Sequence, residues 1–485
     1  MDDLDPTDEQ WDALGLFDTG DDLAIEAGAG TGKTSTLQLL AESRPKQTGA
    51  YLVFNRAAAM DAQRRFPARV QCSTINSLAA RHTERALLDR LNDKRQPSWV
   101  AAKKLGIDRS LYYTVDGRGR TLAPSWLAGH TMRALQQFCY SADPEPGVCH
   151  FPIVQSLDRP GSVTNNRDVA EMLLPYLVKA WADMLTPRGE LRYSHDAYLK
   201  AWCLGRPQIP VDYVLVDEAQ DLSPVQRGLF VDQGSQTVWV GDSQQQIYEW
   251  RGAVNALDLL DATFRTLLTR SFRFGARIAD LANLVLGRLD TDLRLEGEPT
   301  IDSHIARLPE CDAVLCRTNS VAVDQVLTYQ SKDVPVHLVG GGVEVLEFAR
   351  AAQRLQEEGR CDHRELGCFE SWRSVQEYVD NDPLGSELKL LVNLVDKFGA
   401  ETIQEALDDM ISEDRADVVV STAHKAKGRE WNRVRLAPDF PELADCTPEE
   451  FRLFYVAVTR ARFVVDPHPT ELFHALRPKE PACRC

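Results

Sequence analysis

A glycine-rich loop between an apolar run and a helical pattern constrains the fold of this 485-residue chain more than any other feature. The loop reads AGAGTGKT; it follows the run LAIE at Leu23–Glu26 and leads into TSTLQLLAE. Such a loop turns successive backbone N–H groups toward phosphate oxygens at the start of a helix. We therefore expect Lys33 to reach the β- and γ-phosphates of a nucleoside triphosphate, and the Thr34 hydroxyl to bind Mg²⁺. The expected phosphate contacts are Ala27 (where such loops usually begin with glycine), Gly28, Ala29, Gly30, Thr31, Gly32, Lys33 and Thr34.

A second motif supplies carboxylates at the end of a buried strand. Residues Tyr213–Asp221 read YVLVDEAQD, four apolar residues followed by Asp217 and Glu218. Asp217 suits the Mg²⁺ shell, and Glu218 suits a general base that orients an attacking water. Alone, this ending could be a solvated strand end, but together with the phosphate loop it indicates hydrolysis of a nucleoside triphosphate.

Short β-branched runs separated by helical patterns predict an α/β fold with parallel sheets. Ligands of such sheets bind at the carboxyl ends of the strands, where both motifs fall. The predicted strands of the first half are Leu23–Glu26, Ala50–Phe54, Arg69–Thr74, Tyr213–Val216 and Thr237–Val240. Those of the second half are Ala313–Cys316, Val334–Val339, Val418–Ser421, Val434–Leu436 and Phe463–Val465.

Two segments interrupt this pattern and predict insertions. Residues 81–204 carry few strand signals and are expected to form a helical insertion, and residues 346–411 a smaller second one. The first α/β domain then comprises residues 1–80 and 205–265, and the second comprises residues 266–345 and 412–480.

The charge balance excludes binding of nucleic acid by bulk attraction. The chain has 55 basic and 72 acidic residues, a net charge of −17, so any nucleic-acid contact must lie in a local groove. No apolar run is long enough to span a membrane, and the acidic start MDDLDPTDEQ does not resemble an export signal. We expect a cytoplasmic protein. The 11 cysteines are irregularly spaced, and Cys149–His150 lacks a nearby second pair of ligands, so no metal-binding cysteine site is expected.

Beyond the first two motifs, four further segments follow in an order that resembles the UvrD/Rep/PcrA group of superfamily 1 helicases. They are TVWVGDSQQQIYEWRGA at Thr237–Ala253, TRSFRF at Thr269–Phe274, VSTAHKAKGRE at Val420–Glu430 and FYVAVTRAR at Phe454–Arg462. The resemblance implies two RecA-like motor domains of the P-loop NTPase type, with ATP and Mg²⁺ bound between them.

The resemblance also implies roles for residues around the nucleotide. Gln10 would bind the adenine edge, Phe272 would stack on the ring, and Glu430 would accept hydrogen bonds from the ribose. Gln245 would sense the γ-phosphate. Arg273 and Arg460 would reach across the cleft to stabilise the charge that develops on the transferred phosphate.

Other residues in these motifs match positions that contact single-stranded DNA. Phe54, Tyr248 and Trp250 would stack on bases; the motif context favours stacking for Trp250 but leaves Phe54 equally consistent with a core position. The expected backbone contacts are Thr74, Asn76 (where the group often has histidine), Arg251 and His424.

Within the group, the chain most resembles the F-box DNA helicase subgroup, in segments such as LVFNRAAA, FCYSAD, SHDAYLKAW and LTRSFRFGARIA. Only nine residues precede Gln10, so neither an F-box nor a ubiquitin-ligase contact is expected, and the chain looks like a bacterial or phage version.

The resemblance implies an ATP-dependent 3′→5′ translocase and helicase acting in repair, recombination or replication. Its substrates would be single-stranded DNA and 3′-tailed duplex, with a recombinase or loading protein as a possible partner. Three alternatives stay open: an ATPase that strips proteins from single strands, a DNA-binding scaffold with little turnover, and an RNA substrate.

Overall fold

A computed structural model describes residues 5–115, 118–154, 157, 165–230, 233–247, 257–260, 262–340, 342–363, 365–408 and 410–477. In these residues the strands are β1 (Leu23–Ala27), β2 (Gly49–Val53), β3 (Val70–Thr74), β4 (Leu111–Val115), β5 (Arg118–Leu122), β6 (Tyr213–Val216), β7 (Gln236–Gly241), β8 (Phe264–Leu268), β9 (Arg270–Ser271), β10 (Glu296–Gly297), β11 (His304–Ile305), β12 (Ala313–Cys316), β13 (Val336–Leu338), β14 (Val418–Thr422), β15 (Trp431–Leu436) and β16 (Ala461–Asp466).

The α-helices are α1 (Asp8–Asp18), α2 (Lys33–Ser43), α3 (Arg56–Arg65), α4 (Ile75–Arg81), α5 (Arg85–Asp89), α6 (Ser98–Leu105), α7 (Pro124–Tyr140), α8 (Asn166–Met184), α9 (His195–Leu204), α10 (Pro224–Gly228), α11 (Ala276–Leu286), α12 (Asn319–Gln330), α13 (Gly342–Glu358), α14 (Trp372–Asn381), α15 (Ser386–Phe398), α16 (Ala400–Asp408), α17 (Pro448–Val458) and α18 (Glu471–Leu476). None of these helices is long and apolar enough to cross a membrane.

The first large sheet is six-stranded and parallel, in the order β3-β2-β6-β7-β1-β8. Both faces of this sheet are buried, as is usual for a parallel sheet. Successive residues of a strand point to opposite faces, so each strand contributes to two cores. On β6, Tyr213 and Leu215 pack in the core beneath α1 and α2, whereas Val214 and Val216 pack in a core shared with α7, α8 and α9. The predicted α/β fold class is confirmed.

The second large sheet is also six-stranded and parallel, in the order β11-β16-β15-β12-β14-β13. On β12, Ala313 and Leu315 face α11 and α17, while Val314 and Cys316 face a core that includes α13 to α16. The helices of residues 342–408 therefore share a hydrophobic core with the second sheet.

The region between β3 and β6 differs from the purely helical insertion expected there. It contains α4 to α9, but β4 and β5 form an antiparallel hairpin within it. The arginine- and glycine-bearing sequence RGRTL of β5 is a weak strand signal, which explains why the hairpin was not predicted.

Candidate functional site

The phosphate loop lies between β1 and α2 and packs against residues of the second half of the chain. Gly30 and Gly32 have φ angles of +77° and +81°, which side chains rarely adopt. A Cβ atom at Gly30 would also lie 2.5 Å from Ser271 Oγ and 2.7 Å from Arg273 Cβ. The backbone N–H of Phe272 donates to the Gly30 carbonyl at 2.8 Å. Glycine at position 30 is therefore required both by the turn and by this close approach.

Lys33 occupies the interior of the loop. Its Nζ lies 3.5 Å from the Ala27 carbonyl oxygen and 3.4 Å from that of Gly28. These weak contacts to backbone carbonyls leave the ammonium group available to a stronger acceptor such as a phosphate oxygen. Ala27 and Ala29 are fully buried, so the alanine at the start of the loop fits the packing at the end of β1.

The Mg²⁺ ligands predicted from separate motifs lie together at the ends of β1 and β6. Thr34 Oγ1 donates to Asp217 Oδ2 at 2.8 Å, and the same oxygen accepts from Tyr51 OH at 2.6 Å. Burial, followed by the neighbouring Glu218, raises the pKa of Asp217. A hydroxyl and a carboxylate beside the phosphate loop are oxygen donors that suit Mg²⁺.

Glu218 is held in a strained backbone conformation. Its φ of +56° and ψ of +41° are left-handed, which is costly for a residue with a side chain and is typical of functional positions. Gln220 Nε2 donates to its Oε2, and Lys427 Nζ lies 3.5 Å from the same oxygen. Burial alone would raise the pKa of Glu218, but Lys427, Lys33, the hydrogen bond from Gln220 and Arg460 together outweigh burial and lower the pKa to about 2. The residue is therefore a carboxylate at neutral pH, as a base must be.

A group of buried contacts, which we call the cleft bridge, joins this site to the second half of the chain. It consists of the pairs Lys427–Asp221, Lys427–Glu218, Arg460–Gln245, Tyr455–Asp242 and Tyr455–Ala29. The Arg460 Nη2 donates to Gln245 Oε1 at 3.2 Å, and Gln245 Nε2 donates to Asp242 Oδ2. Arg460 is 1% exposed, and burial followed by the nearby Arg273 lowers its pKa.

Arg273 and Glu430 are paired with each other in this structure. Arg273 Nε donates to Glu430 Oε2 at 2.7 Å, and its Nη1 donates to the Thr459 carbonyl at 3.1 Å. The predicted phosphate contact of Arg273 and the predicted ribose contact of Glu430 would have to be made beside this pair or in place of it. Glu430 is 43% exposed, so solvent already reaches the pair.

Gln10 and Phe272 lie on opposite halves of the chain and meet over the same glycine. From a Cβ built at Gly32, Gln10 Nε2 would be 3.4 Å away and the Phe272 ring 3.6 Å away. Gln10 also donates to Thr36 Oγ1 at 2.9 Å and forms a capping box with Thr7. The structure therefore brings together the two residues predicted to bind the adenine, and it gives Gln10 a second role in capping α1.

The predicted DNA contacts are only partly brought together. Phe54, 41% exposed, and Asn76 line one cavity of about 700 Å³. Thr74 is buried and caps α4 through a hydrogen bond from the Ser77 N–H, a role that accounts for a threonine there. His424 follows β14, and burial lowers its pKa. Tyr248, Trp250 and Arg251 lie outside the described residues.

Four residues of the cleft bridge were not predicted, although all lie inside recognised motifs. They are Asp221, Asp242, Lys427 and Tyr455. Asp242 directly follows β7, just as Asp217 directly follows β6. This shared position at the carboxyl end of a strand was the sequence signal that could have identified Asp242 as a site residue.

Comparison with known families identifies both halves of the chain. Residues 152–262 match the UvrD/REP helicase N-terminal domain, and residues 352–465 match the UvrD-like helicase C-terminal domain.

The relatives found among curated proteins are helicases. The chain is 30% identical to F-box DNA helicase protein 1 of Schizosaccharomyces pombe, over 94% of this chain and 56% of that protein. It is 27% identical to F-box DNA helicase 1 of Gallus gallus, over 92% of this chain and 47% of that protein. A shorter match, 33% identical over 123 residues, is to DNA helicase IV of Escherichia coli and covers 23% of this chain and 18% of that protein. The chain thus spans about half the length of the two F-box helicases it matches.

Proposed function

Because the chain carries UvrD-like helicase N-terminal and C-terminal domains, we propose that it is a DNA-dependent ATPase that moves along single-stranded DNA. We propose a 3′→5′ direction and the separation of 3′-tailed duplex, in DNA repair, recombination or replication. The observation that carries the proposal is the cleft bridge, in which cations from one sheet contact the hydrolytic carboxylate region of the other.

In the proposed reaction, the first half binds the triphosphate and activates water. Lys33 exchanges its backbone carbonyl contacts for the β- and γ-phosphates. Thr34 and Asp217 would hold Mg²⁺, which would neutralise phosphate charge when bound. Glu218 orients the attacking water and accepts its proton.

The second half contributes positive charge. Arg460 already lies in contact with Gln245. The Cβ and backbone N of Arg273 lie against the phosphate loop at Gly30, and its guanidinium is paired with Glu430. Guanidinium groups that reach the transferred phosphate stabilise the negative charge that spreads over it. Because both arginines come from the second half of the chain, the tightness of the cleft depends on the nucleotide.

The same contacts offer a route from nucleotide to DNA. Gln245 lies three residues before Tyr248 in the segment predicted to stack on bases. A change in the Arg460–Gln245 contact would therefore occur within a few residues of the segment that is predicted to bind the DNA strand. Stacking on aromatic side chains tolerates any base, as a translocase requires.

The test is ATP hydrolysis with and without single-stranded DNA for the wild type and for Glu218→Gln. We expect strong stimulation by DNA in the wild type and a loss of about 10²–10⁴-fold in the variant, with ATP binding retained. Glu401→Gln, an exposed glutamate on α16, is the matched control. Hydrolysis that ignores DNA, or a Glu218→Gln variant with full activity, would contradict the proposal.

A second candidate keeps the motor but uses it to displace proteins, such as a recombinase, from single strands. It is favoured by the packing of α13 to α16 into the core of the second sheet, because a segment fixed in this way is a poor wedge for a duplex. Unwinding of a naked 3′-tailed duplex distinguishes the two: the helicase separates it, and the protein-displacing ATPase does not.

A further inference from the structure

We infer that Asp143, Cys149 and His150 form a zinc-binding site on the loop between α7 and α8. One ligand atom from each of the three side chains lies within 4.8 Å of the other two. His150 Nε2 is 2.9 Å from Asp143 Oδ2, and Cys149 Sγ is 4.0 Å from each of those two atoms. The sequence offered only the adjacent Cys149–His150 pair; the fold adds the carboxylate.

The ligand set suits zinc. Thiolate, imidazole and carboxylate are its three protein ligands, at roughly 2.0–2.3 Å, so two ligand atoms on one tetrahedral ion lie about 3.3–3.6 Å apart. The distances of 2.9 and 4.0 Å bracket this range. Cys149 Sγ is 3.7 Å from His150 Nδ1 and 4.0 Å from Nε2, so the thiol must rotate toward Nε2 to share an ion with it, and the ion would displace Ser141 Oγ, which is 3.1 Å from Nε2. Asp143 and Cys149 are exposed and can move, while the imidazole is buried.

The surroundings of His150 fix its ring and serve either tautomer. The side chain is only 4% exposed and meets the Phe138 ring edge-on at 5.2 Å. The backbone N–H of Gly147 is 2.9 Å from Nδ1, and the carbonyl oxygen of Gly147 is 3.1 Å from the same atom. Zinc on Nε2 requires the ring proton on Nδ1, where the Gly147 carbonyl accepts it, as in most zinc sites; the Gly147 N–H that donates to Nδ1 in the structure must then turn away. Cys149 would release its thiol proton to solvent on binding, and a water molecule would remain as the fourth zinc ligand.

The site would brace the loop against α9. The buried Lys200 Nζ of α9 donates to the backbone carbonyls of Ser141 at 2.7 Å and of Asp143 at 2.6 Å. The same helix presents His195 and Leu199 to the cavity that Phe54 and Asn76 line. Zinc on this loop would therefore stabilise α9, which lines that cavity.

The test is a titration of the chelator-treated full chain with Co²⁺, which replaces zinc and absorbs through a thiolate-to-cobalt transition in the near ultraviolet. We expect Cys149→Ala to remove one equivalent of this absorption and Asp143→Asn, an exposed change, to weaken Co²⁺ binding at least about tenfold. Cys446→Ala, a partly exposed cysteine elsewhere, should keep the full signal.

Thermal unfolding supplies the second readout. Zinc should raise the unfolding temperature of the wild type and of Cys446→Ala, but not that of Cys149→Ala. The inference is overturned if the wild type shows no thiolate absorption, or if Cys149→Ala retains the full number of Co²⁺ equivalents.

Discussion

Two sets of contacts between the halves of the molecule lie at different distances from the phosphate loop. The cleft bridge joins motif residues around the phosphate loop through buried groups such as Arg460 and Tyr455. A second contact, which we call the insertion bridge, joins residues 94–98 and 192 to residues 362–382. It comprises Arg95–Glu365, Arg192–Glu365 at 2.9 Å, Lys94–Asp362 at 2.8 Å and Ser98–Asp382 at 2.5 Å.

The difference indicates which contact responds to nucleotide. The cleft bridge contains Glu218 and Arg460, and Lys33 lies beside Glu218. All three are groups that we propose to engage ATP, so we expect nucleotide to rearrange this bridge. The residues of the insertion bridge lie outside the phosphate loop and its partner motifs. We therefore expect the cleft bridge to change in each cycle and the insertion bridge to act as a fixed strut, weakened by salt where its pairs are exposed.

The largest expected effect belongs to the cleft bridge. Arg460→Ala should reduce ATP turnover by about 10³–10⁵-fold while ATP still binds, because a cation at the transferred phosphate is lost. The matched control is Arg462→Ala, two residues away and 43% exposed, which should keep most of the activity. Steady-state hydrolysis measures the turnover of both variants, and a nucleotide-binding assay measures whether ATP still binds. Equal losses of turnover in Arg460→Ala and Arg462→Ala would show that Arg460 has no specific role in hydrolysis.

Lys427→Met should give a smaller loss with a signature in the pH profile. Among the neighbours that lower the pKa of Glu218 to about 2, Lys427 contributes most, so its removal should raise that pKa. Activity requires the carboxylate and is lost as pH falls through its pKa; the acid limb of kcat/KM should therefore move to higher pH. Lys397→Met removes a lysine from an exposed ion pair and should leave the limb unchanged. If the acid limb of the kcat/KM profile of Lys427→Met does not move, Lys427 does not set the pKa of the catalytic base.

The smallest effect on turnover is expected in the insertion bridge. Glu365→Gln weakens the contacts to two arginines and should lower the free energy of unfolding by about 1.5–3 kcal/mol, with ATP hydrolysis nearly unchanged. Glu377→Gln, in an exposed helical pair, should cost under about 0.5 kcal/mol. Urea unfolding gives both values. A large loss of ATP turnover in Glu365→Gln would make the insertion bridge part of the motor.

Local sequence patterns predicted the central strands of both large sheets and one edge strand of each, β3 and β13, but missed the opposite edges, β8 and β11. The buried strands Tyr213–Val216 and Ala313–Cys316 were predicted to the residue, because continuous β-branched and apolar runs have few other uses. Phe264–Leu268 was missed: it lies at the edge of the first sheet and alternates between half-buried and exposed residues. Its pairing with β1 depends on a partner about 240 residues away.

The site shows a similar division. The positions of Lys33, Asp217 and Glu218 follow from the strand–loop–helix pattern, since their neighbours in sequence orient them. The pairing of Arg273 with Glu430 joins residues 157 positions apart, so no local pattern encodes it. Asp143 and His150 are only seven residues apart, but their contact depends on the way in which the loop after α7 turns back on itself.

Hydrogen exchange of the full chain, with and without a non-hydrolysable ATP analogue, tests the central claim most directly. We predict altered protection in residues 27–34, 217–221 and 454–460, which contain the phosphate loop and part of the cleft bridge. Protection in residues 94–98 and 362–382 should stay the same. Equal changes in both sets, or changes confined to the insertion bridge, would contradict the account that nucleotide works through the cleft.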